Sequence, residues 1–195
     1  MIGDNKMKKI LKNNSGTSLL EMVFSIAMFA VIMLIVLSIF QSITEGQRNA
    51  VASQNIQESM RFAFEIMSKE IRAAKKSEDE CEPAGSTAIN KIFNNKAGNN
   101  SGPDLYFKNK NSECVYYYLN GGQLIIDRDG AALPVTPGTV AVSDLEFEIV
   151  DDEIGEFHSV QPRVTIKLKV KALNARTIHE QEAVIQTTIS GRYYE

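Results

Sequence analysis

Residues 15–44 read SGTSLLEMVFSIAMFAVIMLIVLSIFQSIT, a short polar start followed by an uncharged block from Met22 to Thr44. At a rise of ~1.5 Å per residue, a helix of this length crosses a hydrocarbon layer of ~30 Å. Ahead of the block stand Lys6, Lys8, Lys9 and Lys12 against one acid, Asp4. Basic flanks stay on the cytoplasmic side, so the amino end is expected inside and the rest of the chain outside. An ordinary cleaved signal has an apolar core of only ~7–15 residues and an A-x-A-like site after it. This block is longer, and no such site follows before Glu45.

Glu21 is the only ionisable residue between Thr17 and Thr44. A carboxylate at the margin of a membrane helix is costly unless a cation answers it, so Glu21 asks for a partner. The string Ser15-Gly16-Thr17-Ser18-Leu19-Leu20-Glu21-Met22 resembles the class III leader of type IV pilins and pseudopilins, with Thr17 where that family usually has Phe or Met. The resemblance implies cleavage after Gly16 by a prepilin peptidase, N-methylation of Thr17, and pairing of Glu21 with the amino terminus of a neighbouring subunit. The physical logic holds without the name. Cutting between a basic leader and an apolar helix creates a cation at Thr17 one turn from an anion, and staggered helices can neutralise one another in a dry bundle.

Outward from the block, no proline occurs before Pro83 and Gly46 is the only glycine, so one helix is predicted from about Thr17 to Lys76. Ile56, Met60, Ala63, Met67, Ile71 and Ala74 recur at spacings of three and four and mark one buried face. Glu58, Arg61, Glu65, Lys69 and Arg72 form the solvated side, with Glu65 and Lys69 four apart. The run from Arg61 to Arg72 is similar to the stalk helix of PilW-like minor pilins and of the J-type pseudopilins of type II secretion.

The connector 77–103 holds Pro83, Gly85, Gly98, Gly102 and several asparagines, a loop composition with room for a short strand at Ala88–Phe93. Strands are predicted at Asp104–Lys108, Cys114–Leu119 and Gln123–Arg128, with Asn120-Gly121-Gly122 as a hairpin turn. Further strands are expected at about Val140–Val150, Arg163–Leu173 and Glu180–Ser190. In the clearest of these Val164, Ile166, Leu168 and Val170 alternate with polar residues, the period of a sheet with one buried face. The expected fold is α+β: a prepilin leader at 1–16, a transmembrane assembly helix at 17–44, an amphipathic stalk at 45–76 and an extracytoplasmic β-rich head at 77–195.

Composition narrows the function. Lys plus Arg number 21 against 24 Asp plus Glu, a net charge of −3, so no global positive field holds nucleic acid. The row Arg163, Lys167, Lys169 and Lys171 is a local basic patch that could meet phosphates, as in DNA uptake, or be ordinary outward polarity. Tyr116, Tyr117 and Tyr118 occupy both faces of one strand, leaving at least one ring for a partner surface. Asp127-Arg128-Asp129-Gly130 and Asp151-Asp152-Glu153 could offer oxygen ligands to calcium, or be turns. With two histidines, His158 and His179, and none of the common nucleophile, zinc or phosphate-loop motifs, neither catalysis nor a cofactor or metal is expected. Cys81 and Cys114, placed outside the cytoplasm, can bridge. The resemblance implies as partners other pilins or pseudopilins, the peptidase and an inner-membrane assembly platform. The inner membrane and then a pilus or pseudopilus are the implied locations.

Overall fold

The computed structural model describes residues 16–76, 91–98, 100–151, 161–173 and 181–192. The chain divides into two compact units at Gln47/Arg48. Helix α1, Leu19–Arg72, is one continuous run of 54 residues.

In the first unit the helix is apolar all round and exposed all round, with Phe24, Leu34 and Phe40 each about two-thirds open. It is long and apolar enough to cross a membrane. A helix with no polar face finds its solvent in lipid or among other apolar helices. Three of its hydroxyls are satisfied internally. Ser25 Oγ donates to the Glu21 carbonyl at 2.7 Å, Ser38 Oγ to Ile35 at 2.8 Å and Thr44 Oγ1 to Phe40 at 2.9 Å. In hydrocarbon, where no water can satisfy them, these bonds remove the cost of the polar atoms.

In the second unit α1 turns amphipathic. Ile56, Met60, Ala63, Met67 and Ile71 are buried, as is Ala74 just beyond the helix, so the predicted stripe is the packed face. The last turn tightens through Ala73 N to Glu70 O and Ala74 N to Ile71 O, and Lys75 N then donates to Lys108 O. Lys69 and Glu65 pair on the solvated side, and this ammonium holds the Glu65 carboxyl below the usual range.

The head consists of two antiparallel sheets. One has the order β2-β3-β4-β5, with β2 Leu105–Lys108, β3 Cys114–Asn120, β4 Gln123–Arg128 and β5 Ala131–Pro134. The other has the order β1-β6-β7-β8, with β1 Ser101–Gly102, β6 Val140–Val150, β7 Arg163–Ala172 and β8 Glu182–Ser190. The helix stripe and the inner faces of both sheets form one core containing Leu105, Tyr117, Leu124, Phe147, Ile166 and Leu168. The fold is therefore α+β, a helix packed on a sheet head. The sheets meet where Val142 N on β6 donates to Gly122 O in the β3–β4 turn, at 2.7 Å.

Gly121 and Gly122 both have positive φ, 57° and 78°, which makes the predicted hairpin a two-residue turn matched to strand twist. Asp129 and Gly130, at 47° and 90°, repeat it and produce β5, which sequence reasoning missed. β6 changes parity: Val140 and Val142 point inward, then Leu145, Phe147 and Ile149. A bulge between Ser143 and Glu146, with Asp144 at φ 49°, supplies the extra residue that keeps both sets on the core side. Of the short strand expected at Ala88–Phe93, residues 88–90 lie outside the described residues. Residues 91–93 form no strand, and Asn94 makes a single bridge to Tyr106.

Candidate functional site

Gly16, Thr17 and Ser18 immediately precede the helix and are exposed. A Cβ placed on Gly16 would meet nothing within 4 Å, so the backbone at the expected cleavage junction is open. Met22 N donates to Ser18 O at 3.1 Å, making Ser18 the residue that starts the helix. Glu21 falls in the first turn, where the helix dipole favours an acid. Thr17 and Glu21 thus stand one turn apart at the same end of an unpartnered apolar helix. Residues 1–15, the rest of the expected leader, lie outside the described residues.

Cys114, at the first position of β3, is disulfide-bonded. Cys81, the chain's other cysteine, lies outside the described residues.

The basic row lies along the outer face of β7, between acids on both neighbouring strands. Lys167 Nζ is 3.3 Å from Glu148 and 4.0 Å from Glu146, while Lys169 pairs with Glu182. Arg163 is exposed at the far end, beside Val150 and Ser190 in register. A phosphate backbone arriving at Lys167 and Lys169 would have to displace these carboxylates, so the middle of the row is a set of cross-strand pairs rather than an uncompensated cationic stripe.

The three tyrosines divide by face. Tyr117 is fully buried, and its hydroxyl has no hydrogen-bond partner among the described residues. Burial raises it above the usual phenol range, with the Glu70 carboxylate adding to the effect. Tyr116 and Tyr118 are half-buried on the outer face and stack on one another at 4.6 Å, and Tyr116 stacks on Tyr106 at 4.0 Å.

Beside this aromatic column sits Asp104, buried, accepting from Lys96 N at 3.3 Å and from the Tyr116 hydroxyl at 3.4 Å. Desolvation dominates these bonds and holds its carboxyl above the ordinary carboxylate range. A raised folded value means that the native state binds the proton more readily than the unfolded chain. Head stability should then fall as pH rises from the ordinary value of 3.8 through the raised one. Asp104→Asn keeps an acceptor for Lys96 and a partner for Tyr116 without the charge. It should therefore be more stable than the parent at neutral pH and converge with it below about pH 3.8, as read by denaturant melts across pH.

The acidic groups act as backbone tethers. Asp127 Oδ1 accepts from Gly130 N at 2.8 Å, and Asp129 Oδ1 from Cys114 N at 2.9 Å. Asp151 Oδ2 accepts from Ile92 N at 2.7 Å and Phe93 N at 3.0 Å. Among the described residues no three His, Cys, Asp or Glu side chains gather as a metal site. Asp152, Glu153, His158 and His179 lie outside the described residues.

Sequence reasoning missed the ion pair between Arg128 and Glu70, 2.8 Å, which ties β4 to the end of α1. It lines a cleft of about 470 Å³ with Lys69, Asn109, Lys110 and Glu113, where Asn109 Nδ2 in turn donates to Glu113. No sequence signal reports a pair formed across such a separation. Comparison of the chain with protein-family models, curated proteins and solved structures finds no match.

Proposed function

We propose that this protein is a structural, non-catalytic subunit of a type IV pilin-like filament, a minor pilin or pseudopilin. In this reading a prepilin peptidase cuts after Gly16 and methylates Thr17, and Glu21 sets axial stagger by pairing with a neighbour's Thr17 amine. The observation that carries it is α1. One unbroken helix is apolar and bare at its amino half, apart from Glu21 in the first turn, and lays a single stripe on a sheet head at its carboxyl half. Such a helix suits a membrane before assembly and a helical bundle after it, because both solvate apolar side chains equally. The head is then extracytoplasmic and the Cys81–Cys114 bridge pins its connector. The pairing of Lys167 and Lys169 with Glu146, Glu148 and Glu182 does not favour DNA binding as the head's role.

Expression in a host with prepilin peptidase and a filament assembly system tests the reading. The chain should appear in the sheared filament fraction, and disappear from it when the assembly platform is deleted. Recovery only as a membrane monomer in the intact system would reject it.

A further inference from the structure

We propose that β8 pairs with β8 of a second copy, antiparallel across a two-fold axis at Gln186, joining two heads through one continuous sheet. The other sheet margins are protected. β2 is capped by the Asn94–Tyr106 bridge and by Lys75 N donating to Lys108 O. The outer edge of β6 is met by β1, by Asn100 O at Ile149 N (2.6 Å) and by Gly122 O at Val142 N (2.7 Å). β5 is four residues long and ends in Pro134, which has no amide to donate.

β8 has none of these devices. It runs for nine residues, EAVIQTTIS, without glycine or proline and without a charge after Glu182. Among the described residues its backbone from Ala183 to Ser190 bonds to β7 and to nothing else. A long, neutral edge of this kind is a template for strand addition. Its side chains are unfinished too. Val184 is 78% exposed, and Ile185 is only half-buried although Leu168, opposite it on β7, is buried.

Three properties of the strand select a second copy as the occupant. First, β8 complements itself. With Gln186 on the axis, Ala183 meets Ile189 and Ile185 meets Thr187 on the core side, a smaller residue against a larger one each time. On the outer side Val184 meets Thr188, and the two Gln186 carboxamides meet each other, each able to donate and to accept. Every pair joins positions of the same parity, so the core faces stay on one side and outward amides meet outward carbonyls. Second, no like charges come together. Glu182 is the only charge on the strand, it lies opposite Ser190 in this register, and it is already paired with Lys169. Third, the contact closes. A lone strand added to β8 would present a new edge of its own, whereas a second β8 brings a whole sheet whose far margin is the capped side of β6 and β1. A two-fold pair therefore leaves neither β8 edge open.

The pairing involves the head alone and stands or falls independently of the filament reading. The test uses the full chain purified in detergent micelles, with one cysteine added at Gln186 or at Thr188, both exposed on the outer side of β8. Cys114 is already disulfide-bonded, and the parent chain serves as the blank. The two-fold axis sets the two 186 positions directly opposite, at a Cα separation that a disulfide spans, and holds the two 188 positions four residues apart, roughly 14 Å. Under copper–phenanthroline oxidation, Gln186→Cys should form a covalent dimer about tenfold or more faster than Thr188→Cys. Mixing Thr188→Cys with Val184→Cys should restore the fast reaction, because those positions face each other across the axis. Equal rates at 186 and 188 would report chance collisions and overturn the proposal. Absence of a covalent dimer from Gln186→Cys would overturn it as well, the result expected if a foreign strand or another segment of this chain covers the edge. Light scattering of the unsubstituted parent reads the same pair without a variant, and a chain monomeric at every concentration reached would also overturn it.

Discussion

Glu21→Val is expected to remove this protein from filaments while leaving it abundant in the membrane. The substitution deletes the only charge between Thr17 and Thr44, so insertion of the span becomes easier. In the proposed filament bundle the same change would leave a neighbour's Thr17 amine buried without its anion. Breaking one partner of a buried pair costs about 3–5 kcal/mol, roughly a hundredfold or more in the assembly equilibrium. Sedimented filaments compared with membrane fractions measure the ratio directly. Glu21→Asp, which retains the charge on a shorter arm, should fall between the two. Equal incorporation of parent and Glu21→Val would show that Glu21 has no part in register.

Met67→Ala should produce the largest loss of stability from a single truncation on the stalk. Met67 is fully buried in the middle of the stripe, flanked by Ala63 and Ile71, and belongs to the core shared with both sheets. Emptying such a site costs ~2–5 kcal/mol, because the lost transfer energy is compounded by a cavity between rigid elements. Phe62 lies on the same stretch of helix but is 57% exposed, so Phe62→Ala should stay within ~0.5 kcal/mol of the parent. Denaturant melts of the two variants separate packing from helix propensity, since both substitutions introduce alanine. Similar losses would mean that burial along the Met67 stripe does not set the stability of the stalk.

The contrast between these positions was legible in the chain because helical periodicity is local. The six stripe residues from Ile56 to Ala74 are recovered as the packed face. The alternation in β7 is recovered likewise, since a strand with one buried face writes its period into a few consecutive residues. β5 was missed because Ala131-Ala132-Leu133-Pro134 has weak strand propensity and a proline, although Asp129-Gly130 is itself a hairpin signal. The shift from Val140 and Val142 to Leu145, Phe147 and Ile149 likewise announces the β6 bulge once parity is followed. The division into two sheets, the Arg128–Glu70 pair and the buried Asp104 depend on contacts distant in sequence, which no local pattern encodes. At the amino end Gly16, Thr17 and Glu21 are as legible in the chain as in the structure, because their meaning lies in spacing along one helix start.

The mass of the amino-terminal peptide of the mature protein, isolated from a host with active prepilin peptidase, decides whether the chain is processed as a pilin. That peptide should begin at Thr17 and bear one added methyl group on its α-amine, with Gly16 and everything before it gone. A mature chain that still contains Gly16, or that begins at any residue other than Thr17, would contradict that processing.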